Sequence, residues 1–472
     1  MSNMPFYHLF RTLNENYVYD VNTNTVLNVN NELFDDLTKL DKGEVDTSNH
    51  IEVMKAKGYL SSNRAKKIEH PVAPVYESYL NSKMNTVTLQ VTQQCNLRCH
   101  YCAYSGNYDN RVHENRDMEL ETALKAIDLV IDNSSDSPKI DIGFYGGEPL
   151  LKFELIKKCV KYAKTIAEGK KIVFRMTTNG TLLSGDRAEF LVENDFNLLI
   201  SIDGPKEHHD KNRIFINSDL GSYDVIMNNI EELTRKYPEY VSRNIAFNAV
   251  LDGETEFKCA HEFFSSYDTI KDFSVNFSFV SGDYTTKEIP YDDIFDIQYK
   301  YERFKVYLNK LGKLSLGKTL KIFQDEFINT KDQIADRKKF EQIFNVEHPG
   351  GPCVPCIRKM FVSVDGTIYP CERVSELSVP MQLGHVKDGV IDIAKAILSI
   401  GKITEKQCIN CWAYRYCIQC AAGADDLESL SPTIRLSKCD GIKRTVENEF
   451  KTFCSLKELG FDYYSLEIER IK

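Results

Sequence analysis

Cys95, Cys99 and Cys102 stand at the spacing Cys-x3-Cys-x2-Cys, where a strand-like run from Thr86 to Thr92 gives way to a loop. Thiolates bind soft metals, and an iron–sulfur cube needs four protein ligands to be closed. The next cysteine in the chain is Cys159. Three ligands this close together therefore leave one iron open to a small molecule, which describes a reactive site and not a sealed electron carrier. A structural zinc site completed by His100 or His113 is the competing reading, because zinc also accepts three thiolates and an imidazole.

A second field of eight potential ligands lies toward the C-terminus: Cys353, Cys356 and Cys371, then Cys408, Cys411, Cys417 and Cys420, then Cys439. Eight thiolates suffice for two closed four-cysteine sites, and the Cys-x2-Cys pairs equally fit two zinc ribbons. The other three of the 14 cysteines, Cys159, Cys259 and Cys454, sit in helix-like apolar patterns and read as buried packing residues.

The elements that must position these groups follow from periodicity. From 86 to 282 strands and helices alternate, with strands expected at Thr86 to Thr92, Ile140 to Tyr145, Ile172 to Thr177, Asn197 to Ile202, Asn244 to Val250 and Ser274 to Val280. This α/β pattern is that of a parallel βα architecture, whose chemistry gathers at the C-terminal ends of the strands. The second strand ends in Gly146-Gly147-Glu148-Pro149, a turn that lets backbone approach closely, offers an acceptor and starts a helix. The third ends Thr178-Asn179-Gly180 and the fourth Ser201-Ile202-Asp203-Gly204, with Arg213 further on; both also read as ordinary turns. Before the barrel, Phe6 to Leu13, Tyr17 to Val21 and Thr25 to Val29 are strand-like, Asn31 is a helix cap, and a helix covers His50 to Gly58.

The triad, with Tyr101 before its last cysteine, resembles the signature of radical AdoMet enzymes, and Gly146-Gly147-Glu148-Pro149 resembles that family's Gly-Gly-Glu-Pro motif. The resemblance implies a partial (β/α)6 barrel in which Cys95, Cys99 and Cys102 hold a [4Fe-4S] cluster whose open iron chelates S-adenosylmethionine. It implies that the glycine turn and Glu148 hold the methionine ammonium, that Ser201 and Asp203, with Thr178, Asn179 and Arg213, reach the ribose and carboxylate, and that Tyr101 contacts adenine. Behind such a core the second field resembles a SPASM domain with two auxiliary [4Fe-4S] clusters, one on Cys353, Cys356, Cys371 and Cys420 and one on Cys408, Cys411, Cys417 and Cys439. That family usually has three residues between the last two cysteines of the middle group, and here there are two, Ile418 and Gln419. Glu372 stands where sulfatase-maturing relatives carry a general-base Asp. The N-terminal pattern resembles the winged-helix element with which peptide maturases bind a leader peptide as an added strand.

These readings divide the chain into a recognition unit at 1–70, a linker at 71–85, the barrel at 86–282, a helical bridge at 283–350, the SPASM region at 351–445 and a helical end at 446–472. A formal net charge of -10 argues against a nucleic-acid partner. No run of about 18 apolar residues and no signal peptide is found, so a cytoplasmic protein without a membrane partner is expected. The expected function is the cross-linking of a ribosomally made precursor peptide, foremost as a cysteine thioether, with an external flavodoxin- or ferredoxin-type electron donor. Sulfatase maturation and a non-catalytic iron–sulfur or zinc-ribbon protein are the alternatives.

Overall fold

The computed structural model describes residues 4–463 apart from 110, 168, 254–256, 268–269, 271–272, 281, 283, 287–292, 336–341 and 351–352. The end of the expected C-terminal segment, 464–472, therefore lies outside the described residues. Three antiparallel strands, β1 (Tyr7–Arg11), β2 (Asn16–Asp20) and β3 (Thr25–Val29), form a meander in the order β1-β2-β3. Two helices, Asn31–Asp41 and Asn49–Ala56, follow. The first is capped by Asn30 and not Asn31: the Asn30 side chain accepts from the Leu33 N–H at 3.0 Å. The linker contains structure of its own, a helix Tyr76–Leu80 and, just before it, a short strand β4 (Lys67–Ile68).

The barrel strands are β5 (Thr86–Thr92), β6 (Lys139–Gly146), β7 (Lys171–Thr178), β8 (Asn197–Ser201), β9 (Ile245–Leu251) and β10 (Ser274–Phe279). Each pairs in parallel with the next, so the sheet runs in chain order. Alternation sorts the side chains. Val87, Leu89, Val91, Ile140, Ile142 and Phe144 are buried against the helix Leu120–Asp132 and its neighbours, while Thr88, Gly143, Tyr145, Arg175 and Thr177 line the inside.

Beyond β11 (Val346–Glu347), which pairs with β4, the C-terminal region extends the same sheet. Strand β12 (Phe361–Val362) adds in parallel to β5, and β13 (Thr367–Tyr369), β14 (Gly384–His385) and β15 (Gly389–Val390) continue it antiparallel. Helices Asp293–Lys310 and Lys321–Ile334 precede this extension, and the helix Cys439–Glu458 follows it. That last helix packs on the N-terminal meander: Phe6, Phe10, Tyr17 and Tyr19 share one buried cluster with Tyr414, Tyr416 and Phe450. No helix among the described residues is long and apolar enough to cross a membrane.

Candidate active site

The cysteine loop leaves β5 where the β5–β6 register slips between Gln90 and Thr92. The loop is held against the turn after β6 by backbone, since Gly147 N–H donates to Thr92 O at 3.0 Å and Glu148 N–H to Gln94 O at 2.9 Å. Glycine is required there. A Cβ on Gly146 would meet Thr92 O at 2.1 Å, and one on Gly147 would meet Gln94 O at 2.0 Å. The two glycines thus let the turn and the cysteine loop touch.

Each thiol of the triad receives a donor. Leu97 N–H (3.4 Å) and Asn179 Nδ2 (3.8 Å) donate to Cys95 Sγ, Arg213 Nη1 to Cys99 Sγ (4.0 Å), and Tyr104 N–H to Cys102 Sγ (3.5 Å). Burial pushes Cys95 and Cys99 up to about 12 and raises Cys102. Thiols so placed become thiolates when a metal supplies the compensating charge, and the sulfur-directed donors are of the kind that tune iron–sulfur clusters. Among the described residues, no three His, Cys, Asp or Glu side chains gather at the spacing of one metal ion's ligands. The donor set suits a cube, where each thiolate takes its own iron. His113 is otherwise engaged, with Nδ1 3.3 Å from Gln93 O and its ring stacked on Tyr104.

Glu148 is fully buried, and its oxygens are taken up by the protein. Leu150 N–H (3.0 Å) and the Thr178 hydroxyl (2.8 Å) donate to Oε1, and Asn179 N–H (2.8 Å) donates to Oε2. It fastens the end of β6 to the end of β7, and burial raises its carboxyl above the usual glutamate range despite those donors. Asp203, just past the end of β8, ties its surroundings together in the same way. Arg213 grips it with Nε (2.8 Å) and Nη2 (3.0 Å), Val250 N–H adds a bond at 2.9 Å, and the Tyr101 hydroxyl donates to it. Arg213 also lies over the Tyr101 ring at 5.5 Å. His209, which the motifs did not single out, supports the pair. Its Nδ1 accepts from Asp203 N–H at 3.3 Å, so Nε2 carries the proton toward Ser222 Oγ at 2.9 Å, and Ser222 donates to Arg213 O at 3.0 Å. Burial lowers His209 to about 4, which keeps it neutral.

The triad, Gly146, Gly147, Thr178, Asn179, Ser201 and Arg213 line one cavity of about 140 Å³. A second cavity of about 770 Å³ runs along the inside of the barrel sheet, and Lys359 and Glu372 are among the residues that line it. Tyr145 and Thr177 line both. The Glu372 carboxylate stands 3.4 Å from Lys359 Nζ. Sequence motifs passed over Tyr145 and Thr177, although each directly precedes a residue that was read as functional.

In the C-terminal field the thiols of Cys408, Cys411, Cys417 and Cys439 act on one another. Cys411, pushed up to about 11 mainly by burial, is raised further by Cys408 and Cys417, and the buried Cys417 thiol is raised further by Cys408 and Cys439. Cys371, also near 11 through burial, feels Glu372 and then Cys420. Cys356 is buried with φ +59°, and Cys353 and Cys420 are exposed.

Residues 89–258 match the family model described as the Radical SAM superfamily. A cysteine-type anaerobic sulfatase-maturating enzyme of Clostridium novyi is 25% identical over 346 residues, 69% of this chain and 84% of that enzyme. The radical SAM cyclopropyl synthase TigE of Paramaledivibacter caminithermalis is 26% identical over 240 residues, 48% of this chain, which spans only 48% of TigE. Among solved structures, native anSMEcpe with bound AdoMet has the same fold, with a TM-score of 0.56 and 21% identity over 81% of this chain and 100% of that one. The matched segment carries the cysteine triad and the glycine turn at its strand ends; over residues 89–258 the chain is similar to the Radical SAM superfamily, with homology to the anaerobic sulfatase-maturating enzymes.

Proposed function

We propose that this chain is a radical S-adenosylmethionine enzyme that cross-links a ribosomally made precursor peptide, joining a cysteine sulfur to another residue as a thioether. The carrying observation is the pair of cavities that share Tyr145 and Thr177, one bearing the three thiols and the other wide enough for a peptide segment. Cys95, Cys99 and Cys102 would hold a [4Fe-4S] cluster, and the polar strand ends beside them S-adenosylmethionine. When bound, these supply a 5′-deoxyadenosyl radical for hydrogen abstraction. Glu372, facing the larger cavity beside Lys359, would take a proton from the substrate. The two C-terminal cysteine groups would hold auxiliary clusters that pass the surplus electron on, with an external flavodoxin- or ferredoxin-type donor for the first. The N-terminal meander supports peptide recognition: among the described residues β3 pairs only with β2, which leaves an edge for a leader strand.

Formylglycine formation is the second reading, favoured by the 84% coverage of the Clostridium novyi enzyme and by the position of Glu372. Coexpression with a short cysteine-containing peptide, should one be encoded beside this gene, followed by mass analysis, separates the two. A thioether removes two hydrogens and keeps the sulfur. Loss of the cysteine sulfur would establish the second reading and overturn the first.

A further inference from the structure

Beside the cysteine group Cys408, Cys411, Cys417 and Cys439 lies a buried cation for which no carboxylate partner is found among the described residues. Arg435, in the short helix Pro432–Ser437, is 2% exposed. Its Nε donates to Thr404 Oγ1 at 3.1 Å, and that hydroxyl lies 3.2 Å from Cys408 Sγ. Its backbone oxygen accepts from Gln419 Nε2 at 3.0 Å and lies 3.8 Å from Cys439 Sγ. Nη1 is buried and has no hydrogen-bond partner among the described residues. A buried guanidinium without an anion is strongly disfavoured, and through Thr404 the guanidinium is linked to the Cys408 sulfur, a member of the four-cysteine group. The triad differs, because its Arg213 is neutralised by Asp203.

We infer that Arg435 is the counter-cation of the metal centre held by Cys408, Cys411, Cys417 and Cys439 and raises the reduction potential of that centre. Four thiolates around an iron–sulfur cube leave a net negative charge that grows by one on reduction, so a fixed buried cation favours the reduced state. The inference rests on the iron–sulfur reading in the proposed function and is independent of the peptide.

The test is a potentiometric titration with dithionite, read by electron paramagnetic resonance, on the anaerobically reconstituted full chain carrying Cys95→Ala, Cys99→Ala and Cys102→Ala. In Arg435→Met, one of the two remaining signals should shift to a more negative potential. The ratio of reduced to oxidised centre at the original midpoint should fall about tenfold, about 59 mV for a one-electron couple. The other signal should stay in place, and Arg435→Lys should restore the first. Loss of metal from this group in Arg435→Met, with retention in Arg435→Lys, supports the same role. Unmoved potentials, metal loss in both variants, or a redox-silent zinc at these four cysteines would each overturn it. Should the parent chain with its triad intact convert no peptide while Arg435→Met shows the shifted signal, the maturase reading falls and this inference stands.

Discussion

The two cysteine regions are built on opposite plans. The triad hangs from strand ends, and its neighbours in space are set by the register of adjacent strands: Gly146 and Gly147 touch the cysteine loop, Glu148 bridges to β7, and Asp203 holds Arg213 beside Cys99. The Cys408–Cys417 loop has short turns of its own and leans on an aromatic wall brought from the other end of the chain. Trp412, next to Cys411, lies flat on His8 at 3.7 Å with 5° between the rings, and Arg415 Nε donates to Val21 O at 3.0 Å. One site is fixed by local register and the other by long-range packing, so the same damage should affect them unequally.

The largest effect is expected at the triad. Replacing Cys95, Cys99 and Cys102 together by Ala should abolish 5′-deoxyadenosine formation on reduction, read by chromatography, and leave the C-terminal metal in place. Continued cleavage of S-adenosylmethionine would show that the open site lies elsewhere. Trp412→Ala should act on the other side of the comparison. Truncating a large aromatic that packs on His8 and Phe450 should cost about 3 kcal/mol in urea unfolding. It should also lower the metal content of the second cysteine group while sparing the triad. If instead triad iron is lost first, the two regions are not independently supported.

The smallest effect is a pH dependence at Glu148. Burial raises its carboxyl in the folded chain. Its contribution to stability is therefore fully present below the unfolded value of about 4.3 and is lost as pH rises through the raised one. Glu148→Gln keeps the shape but leaves one of the Leu150, Thr178 and Asn179 donors badly matched, a loss of about 1–2 kcal/mol at acid pH. The difference from the parent chain should narrow as pH rises above the ordinary glutamate range, read in urea midpoints. A constant difference would mean that Glu148 is charged in both states.

Local patterns made the barrel legible. Strand β5 spans the expected residues, and the other five barrel strands depart by a residue or so, because alternation of apolar and polar residues marks a face directly. What pairs at a distance left no such mark. The addition of β12 to β5 joins Phe361 to Thr88, and nothing in a two-residue strand announces it. The candidate site divides the same way. Cysteines and glycines showed themselves by spacing, whereas Tyr145, Thr177 and Arg435 are single residues whose neighbours come from other elements. Glu148 and Asp203 were read as reaching a ligand, and in the fold their oxygens also tie strand ends together.

The meeting of β2 with the helix Cys439–Glu458 has a consequence in time. The Tyr17 hydroxyl donates to Glu458 at 2.8 Å across 441 residues of sequence, so β2 waits for a helix that is synthesised long after it. At about 5–20 residues per second that delay is on the order of half a minute to a minute and a half. The barrel and its triad have all their strands well before then. The second cysteine group, Cys408 to Cys439, meets the aromatic wall only after the barrel is complete, so any metal held there would be loaded after the triad's, in an order set by the chain's topology.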